Sequence, residues 1–236
     1  MEIIFECTAG SRMYGIDLPD SDIDIRGVFI PILYDILNPL RYNTYKDTVV
    51  ETEGNYDSVY YSIQKFMKLL ADGSPNIIEL LFAEDTYHGD RSYIFNKYIL
   101  GNRDVFINAN TINNFISMAI NSKKSWRQFA KDSLGHILYV NDKAMVYFDT
   151  KNACTTLRVL SEAIELIKYG DITFPSPAQS ILLDVRQGKM SEKDCEVEYN
   201  DLMATIESIS WGKVLCGDSD KMRGIFDTVI SEIYHI

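Results

Sequence analysis

"AGSRMYGIDLPDSDIDIRGVFI", residues 9–30, decides how the first half of this chain folds. A Gly-Ser pair interrupts an apolar stretch, two polar turns follow, and two aspartates one residue apart then open a second apolar run. Alternate side chains of a strand share a face, so Asp22, Asp24 and Arg26 are predicted to lie on one face of a strand. The sequence therefore concentrates charge on one strand face, directly after a glycine-rich turn.

The two neighbouring aspartates and the turn before them together predict a binding site. Ile23 and Ile25 are predicted to point to the opposite face, into the core, which leaves the aspartates side by side. Two carboxylates a few ångströms apart raise each other's pKa unless a cation lies between them, and such hard oxygen ligands suit Mg²⁺ or Mn²⁺. Upstream, the strand is predicted to end at "AGS" and a helix to begin in "SRMYG", which presents backbone amides and the Ser11 hydroxyl to an anion. The pattern predicts a phosphate-binding turn beside a metal-binding pair of carboxylates.

A simpler interpretation uses turn chemistry alone. Ser21 and Asp22 would cap a turn, and Asp24 would lie on a solvated face, paired with Arg26. Turn chemistry explains either aspartate singly, but it does not readily produce the whole ordered set. That set consists of Gly10-Ser11, Gly15, Ser21-Asp22, Asp24 and Arg26-Gly27.

The composition is that of a self-folding globular protein with an acidic surface. The chain has 236 residues, of which 46% are hydrophobic, and this is enough for a substantial core. Its formal net charge is −11, from 34 acidic and 23 basic residues, which disfavours a sequence-independent coat on nucleic acid. A small phosphorylated ligand remains compatible, because a metal ion and a few local cations reverse the sign of the field inside a pocket.

The apolar runs, the cysteines and the histidines together predict a cytoplasmic protein without a membrane partner. No secretory leader pattern opens the sequence, and the longest apolar run is broken by Pro31 and Asp35 well short of a membrane span. The cysteines are far apart and form no C-x-x-C pair, which indicates reduced thiols: Cys7, Cys154, Cys195 and Cys216. The histidines lack metal-ligand spacing: His88, His136 and His235.

The first third of the chain is predicted to form a sheet with helices packed on it. Alternating and β-branched or aromatic residues predict four strands, at 2–9, 22–30, 47–53 and 56–63. From Gln64 the period of the apolar residues changes, which predicts two short helices up to residue 85.

Beyond about Ile107 no further strand is predicted. Apolar residues at helical spacing predict an amphipathic helix within 111–131, a second helix that ends at Gly170, and a last helix within 222–233. The second half is thus predicted to be a helical bundle. No Gly/Ser linker separates the halves, so we expect them to pack as one body with a cleft where they meet.

These patterns together predict an α+β fold. Residues 1–106 are assigned to a mixed β-sheet with helices, and residues 107–236 to a helical bundle packed against it.

The stretch "GSRMYGIDLPDSDIDIRGV" resembles the characteristic motif of the DNA polymerase β superfamily of nucleotidyltransferases, in which G-S is followed by a spacer and S-D-x-D. The segments "YDSVYYSIQKFMKLLADGSPNIIELLF" and "TKNACTTLRVLSEAIELIKYGDITFP" are similar to the branch of predicted nucleotidyltransferases associated with RNA repair. The resemblance covers roughly residues 1–190. Its first motif is specific, and the helical segments support it.

The resemblance implies a nucleotidyltransferase-type sheet with three carboxylates that bind two divalent ions, Mg²⁺ or Mn²⁺, and a Gly-Ser turn that holds a nucleoside triphosphate. An acceptor hydroxyl then attacks the α-phosphate and pyrophosphate leaves. Asp22 and Asp24 match the first two carboxylates. We assign the third to Asp57, which opens the strand "YDSVYYS" and is expected next to Asp24; Glu51 and Glu53 are the alternatives. The nucleotide-binding residues are then Gly10, Ser11, Arg12, Ser21, Arg26, Lys151 and Arg158.

Lys151 and Arg158 belong to the second half of the chain. They are seven residues apart on a predicted helix, hence on one face, where they are suited to hold the leaving phosphates. A solvated basic stripe is an equally good interpretation. The family pattern has a histidine between the lysine and the arginine, where this chain has Thr155.

Two functions of different classes follow. The first is a metal-dependent nucleotidyltransferase whose acceptor is an RNA end, a protein or a small molecule. The second is a non-catalytic module that binds a nucleotide or a partner, and the intact pair of aspartates favours the enzyme. The basic cluster of Lys123, Lys124 and Arg127, with Trp126 among them, is either an acceptor contact or an exposed helix end with a core tryptophan.

Overall fold

The first half of the molecule is built on a four-stranded mixed sheet. The computed structural model describes residues 2–38, 46–84, 89–211 and 218–235; His88 and Cys216 lie outside the described residues. The strands of the sheet are β1 (Glu2–Ala9), β2 (Ile23–Ile30), β3 (Thr48–Glu53) and β4 (Tyr56–Ser62). Their spatial order is β1-β2-β4-β3. All four strands were predicted from the alternation of their residues.

The pairing of the strands places the carboxylates. β2 pairs with β1 in the antiparallel and with β4 in the parallel sense, and β3 closes the sheet antiparallel to β4. In the parallel pair Asp24 is directly opposite Asp57. The expectation that Asp57 lies on the strand next to Asp24 is therefore confirmed.

Helices account for most of the remaining described chain. In the first half they are α1 (Gly10–Met13), α2 (Leu33–Leu37), α3 (Ile63–Ala71), α4 (Pro75–Ile78), which continues as a 3₁₀ turn over Glu79–Leu81, and α5 (Ser92–Ile94). Looser helical turns follow over Phe95–Ile99 and Leu100–Phe106. In the second half they are α6 (Ala109–Lys123), α7 (Thr150–Tyr169), α8 (Gln179–Arg186), α9 (Glu192–Ser208) and α10 (Ser219–Tyr234).

The caps of α7 follow from its sequence. Asp149 accepts a hydrogen bond from the backbone N–H of Asn152 at the start of the helix. Gly170 ends the helix in the left-handed conformation, with φ of 68°. The predicted C-terminal boundary at this glycine is confirmed.

The face of β2 that carries the aspartate also meets the core. Val28 and Ile30 alternate with Asp24 along β2 and belong to the main buried cluster. Ile23 and Ile25 are only half-buried and lie outside both buried clusters, so the prediction that they enter the core was wrong. The reason is that the helices pack on the face of β2 that carries Asp24, Val28 and Ile30. Asp24 therefore lies at the end of a buried surface.

Strands also occur in the second half, contrary to the prediction. Residues 127–148 contain two small antiparallel pairs, formed by β5 (Arg127–Phe129), β6 (Tyr139–Val140), β7 (Lys143–Ala144) and β8 (Val146–Phe148). Asn141 and Asp142 have φ of 49° and 61° and form the two-residue turn between β6 and β7, which is typical of hairpins. The helix predicted within 111–131 therefore ends at Lys123.

The main buried cluster joins the two halves. It includes Ile4 and Val28 of the sheet together with Leu160 of α7 and Val229 of α10. The domain boundary after residue 106 stays a prediction. Among the described helices, none combines the length and the apolar character needed to cross a bilayer.

Candidate active site

A tight turn brings the Gly-Ser pair against the first strand carboxylate. β1 ends at Ala9, which pairs with Asp24 of β2, and α1 begins at the next residue. Gly10 has φ of +62°, and a Cβ atom there would stand 2.0 Å from Oδ2 of Asp24. Only glycine fits both the backbone conformation and this close approach. The turn and the carboxylate therefore form one unit.

The three predicted carboxylates differ in their surroundings. Asp22 is exposed at the entrance to β2, whereas Asp24 and Asp57 are half-buried. Arg26 Nη2 donates to Asp24 Oδ1 at 3.3 Å, and its Nη1 donates to the backbone carbonyls of Ile25 at 2.8 Å and Asp57 at 3.4 Å. Arg26 thus ties β2 to β4 and holds Asp24.

A cleft of about 310 Å³ lies over the Gly-Ser turn, between the sheet and helices α7 and α8. It collects seven of the predicted site residues: Gly10, Ser11, Ser21, Asp22, Asp24, Lys151 and Arg158. Asp57, Arg12 and Arg26 do not line it. The expected cleft between the halves is present, and α7 brings its cations to the aspartates.

The charges of the cleft are segregated. One wall carries Asp20, Asp22 and Asp24, and the other carries Lys151 and Arg186. Within the described part of the chain, the side chains of Lys151 and Arg186 form no ion pair and no hydrogen bond. The cleft therefore offers acidic oxygens to a cation on one side and free cations to an anion on the other.

Arg186 was missed by sequence reasoning. It lies in the last turn of α8, where a basic residue is common for capping reasons. Its position in the cleft depends on how α8 packs against α7, which no local pattern reveals. Thr155, at the place where the family has a histidine, also lines the cleft, and its hydroxyl donates to the Lys151 carbonyl at 3.0 Å.

Two aspartates provide hard oxygen donors of the kind that bind Mg²⁺ or Mn²⁺. Asp22 and Asp24 are both in the cleft, and the Asp24 carboxylate occupies the space that a Cβ atom of residue 10 would take. Among residues 2–38, 46–84, 89–211 and 218–235, however, no group of three or more carboxylate, thiol or imidazole side chains converges as a metal site. The residues fit a divalent ion held by two carboxylates, with the third carboxylate set back.

Arg158 belongs to a buried network at the floor of the cleft. Its Nη1 donates to Glu79 Oε1 at 2.7 Å and to Glu162 Oε1 and Oε2 at 2.6 and 2.8 Å. The Tyr14 hydroxyl donates to Glu79 Oε2 at 2.5 Å, and the Tyr14 ring lies 3.8 Å from the guanidinium carbon. Glu79 thus forms a buried ion pair with Arg158 at the floor of the cleft.

Burial governs the titration of this network. Removal from water raises the pKa of Glu162 well above its usual range, against the lowering effect of the Arg158 charge. Burial likewise raises the pKa of Tyr14, so the phenol stays protonated and remains a donor to Glu79. The guanidinium stays charged, because the two carboxylates oppose the cost of its burial.

The remaining predicted contacts lie elsewhere. Arg12 lines a second cavity, of about 550 Å³, on the other side of α1, and its Nη1 lies 3.8 Å from Asp17 Oδ2. Trp126 is buried and donates its indole N–H to Thr156 Oγ1 at 2.9 Å, so the core interpretation of this residue is confirmed. Lys123 and Arg127 form ion pairs with acidic residues of α9. The basic cluster of Lys123, Lys124 and Arg127 is thus partly neutralised.

Cys154 permits a prediction about pH. Its thiol is buried beside the cleft, and burial raises its pKa from 9.0 to about 11. The unfolded thiol ionises first, so the stabilisation is complete below pH 9 and is lost as the pH rises from 9 through about 11. We expect the free energy of unfolding to fall by about 2 kcal/mol more in the wild type than in Cys154→Ala over this range. Denaturant titrations at pH 8 and 11 measure this, and equal losses in both proteins would contradict it.

The comparisons with known proteins cover most of the chain. The model of a family described as RNA repair pathway DNA polymerase beta family, RlaP, matches residues 1–205. A curated protein of Enterobacteria phage T4, described as an uncharacterized 38.9 kDa protein in the nrdC-mobD intergenic region, is 32% identical over 117 residues. That match covers 47% of this chain and 34% of the phage protein, so the chain spans about a third of this relative's length.

Proposed function

The chain belongs to the RNA repair pathway DNA polymerase beta family, and from this premise we propose that it is a metal-dependent nucleotidyltransferase. It moves a nucleoside monophosphate from a triphosphate to an acceptor hydroxyl and releases pyrophosphate. The observation that carries the proposal is the segregated cleft, in which the Gly-Ser turn and Asp24 face the free cations Lys151 and Arg186.

The acidic and the basic residues of the cleft have different roles in this proposal. Asp22 and Asp24 would hold the divalent ion, which when bound would neutralise charge on the α-phosphate and favour ionisation of the acceptor hydroxyl. The Ser11 hydroxyl and the backbone of the turn bind a phosphate oxygen. Lys151 and Arg186 bind the β- and γ-phosphates. These cations stabilise the charge that the leaving pyrophosphate acquires.

The proposed reaction is a displacement at the α-phosphorus in which each bond, the proton and the leaving group are accounted for. The acceptor oxygen forms a bond to the α-phosphorus while the bond from that phosphorus to the α,β-bridging oxygen breaks. The acceptor proton passes to a carboxylate or to water, and pyrophosphate keeps the electron pair of the broken bond. Segregated charge suits this in-line displacement, because the acidic wall faces the attacking side and the basic wall the leaving side.

The acceptor is proposed from the family description, which names RNA repair. An RNA end is the first acceptor to test, and a protein side chain is the second. The net charge of −11 restricts contacts with a long polyanion, so only a short RNA end is expected to enter the cleft.

Incubation with each α-labelled triphosphate, Mg²⁺ and either short RNA or a cell extract tests the proposal. Label on RNA or protein, with stoichiometric release of pyrophosphate, supports it. Label on neither, with no pyrophosphate, refutes turnover.

A non-catalytic nucleotide-binding module is the second candidate. Two observations favour it: Asp24 is paired with Arg26, and no group of three or more side chains arranged to hold a metal ion is present among the described residues. Calorimetric titration with an α,β-methylene triphosphate and Mg²⁺ separates the two. Tight binding without turnover on any acceptor selects the module.

The third carboxylate has a prediction of its own. Thr52 of β3 is opposite Asp57, whereas Glu51 and Glu53 are opposite Ser58 and Tyr56, so alternation places both glutamates on the other face of the sheet from Asp57. We expect Asp57→Ala to reduce turnover about as much as loss of Asp24, and Glu51→Ala and Glu53→Ala to change it less than about 3-fold. Steady-state rates at saturating Mg²⁺ measure this, and the reverse ranking would assign the third ligand to β3.

A further inference from the structure

The buried network beneath the cleft uses only part of Arg158. All three hydrogen bonds to carboxylates come from Nη1. Nη2 and Nε make no hydrogen bond in the described part of the chain, yet they are not among the buried polar atoms that lack a partner. Because Arg158 lines the cleft, these two donors are open to its interior. Arg158, a residue that is only 4% exposed, thus keeps two of its three guanidinium nitrogens for a ligand.

We propose that Glu79 and Glu162 are positioning residues: they fix Nη1 of Arg158 so that Nη2 and Nε face a phosphate group of the bound triphosphate. The inference rests on the proposed function, whose cleft it deepens. Lys151 is a point charge and Arg186 comes from the last turn of α8, whereas Arg158 supplies a planar fork from the floor of the cleft. Such a fork matches two oxygens of one phosphate.

The network holds the guanidinium on one edge and on one face. The two carboxylates hold one edge, and the Tyr14 ring supports one face at 3.8 Å. Glu79 and Tyr14 come from the sheet half, while Arg158 and Glu162 are one turn apart on α7. The same contacts therefore set the distance between the Gly-Ser turn and α7, and with it the width of the cleft.

The charge balance is compatible with phosphate binding. Two ionised carboxylates around one guanidinium would leave a net charge of −1 and repel an anion. Burial favours a proton on Glu162, which leaves a neutral pair of Glu79 and Arg158. The donors of Arg158 then face the cleft without an excess of negative charge behind them.

The test compares the affinities of an α,β-methylene triphosphate and of the matching monophosphate in the presence of Mg²⁺, by calorimetry. We expect Glu79→Ala, Glu162→Ala and Arg158→Lys each to weaken triphosphate binding by about 10-fold or more and monophosphate binding by less than about 3-fold. Glu162→Gln keeps an acceptor oxygen and is expected to retain the triphosphate affinity within about 3-fold. Glu165→Ala removes another glutamate of α7, whose carboxylate accepts from the Thr173 N–H, and serves as the matched control.

A merely structural role would lower both affinities together and leave their ratio unchanged, which overturns the inference. If the alanine variants do not fold, Glu162→Asp decides, because it keeps the carboxyl group and shortens its reach by one methylene. A triphosphate-selective loss in Glu162→Asp supports the inference, and an unchanged ratio overturns it. If the wild-type protein binds neither nucleotide, the proposed function is refuted, and the inference that rests on it is refuted too. If the wild type binds but the variants keep its ratio of triphosphate to monophosphate affinity, the inference alone is refuted.

Discussion

Replacing Asp24 with asparagine is expected to lower metal-dependent nucleotidyl transfer by at least about 10²-fold while the fold remains intact. Asp24 is the carboxylate that Gly10 approaches, and it lines the acidic wall of the cleft. Asparagine keeps the size of the side chain but loses the charge that would hold a divalent ion in the proposed mechanism, where the ion would contribute several kcal/mol at the transition state. Initial rates of pyrophosphate release across a Mg²⁺ titration measure the effect.

The control and the contrary outcome are specific to this wall of the cleft. Asp20→Asn also removes an acidic charge from the cleft, but Asp20 lies in the turn before the motif, so a change below about 3-fold is expected. Asp22→Asn should resemble Asp24→Asn. Thermal unfolding of the variants should stay close to the wild type, because relief of the repulsion between carboxylates offsets the loss of a charged side chain such as Asp24, which pairs with Arg26. Wild-type rates in the Asp22→Asn/Asp24→Asn double variant would end the catalytic assignment.

The sequence predicted those parts of the fold that local patterns encode. The strands β1 to β4 alternate clearly, and Gly170 stands where a helix needs a left-handed residue. Residues 127–148 were misread because their strands are two or three residues long, which is too short for a periodic signal. The dipeptide Asn141-Asp142 between apolar residues was the available hairpin signal.

The candidate site also consists of residues that a local motif predicts and residues that only the packing of distant elements brings in. Gly10, Ser11, Asp22 and Asp24 lie within 15 residues of one another in a single motif, so the chain order alone brings them together. Arg186 and Glu79 come from distant elements, and only the packing of α8 and of the turn after α4 places them near the cleft. Arg26 was assigned to the nucleotide, but its side chain is engaged by Asp24 and by the carbonyl of Asp57. Side-chain direction depends on such partners, and a sequence motif does not contain them.

The largest effect expected from a single methyl group is at Gly10. In Gly10→Ala the new Cβ would stand 2.0 Å from Oδ2 and 2.7 Å from Cγ of Asp24, so the carboxylate or the turn must move. A displacement of about 1 Å at a catalytic ligand is enough for a loss of about 10²-fold in turnover. The positive φ of +62° adds about 1 kcal/mol of backbone strain.

Gly54 separates the two contributions. It has nearly the same φ, +63°, but a Cβ there would meet nothing within 4 Å. Gly54→Ala should therefore show the backbone cost alone, a loss of about 1 kcal/mol in the free energy of unfolding with wild-type turnover. Gly10→Ala should lose more stability than Gly54→Ala and also lose turnover and Mg²⁺-dependent nucleotide binding. If the two alanine variants retain the same turnover, the contact between the Gly-Ser turn and Asp24 has no part in catalysis, since the backbone strain is common to both and only the contact differs.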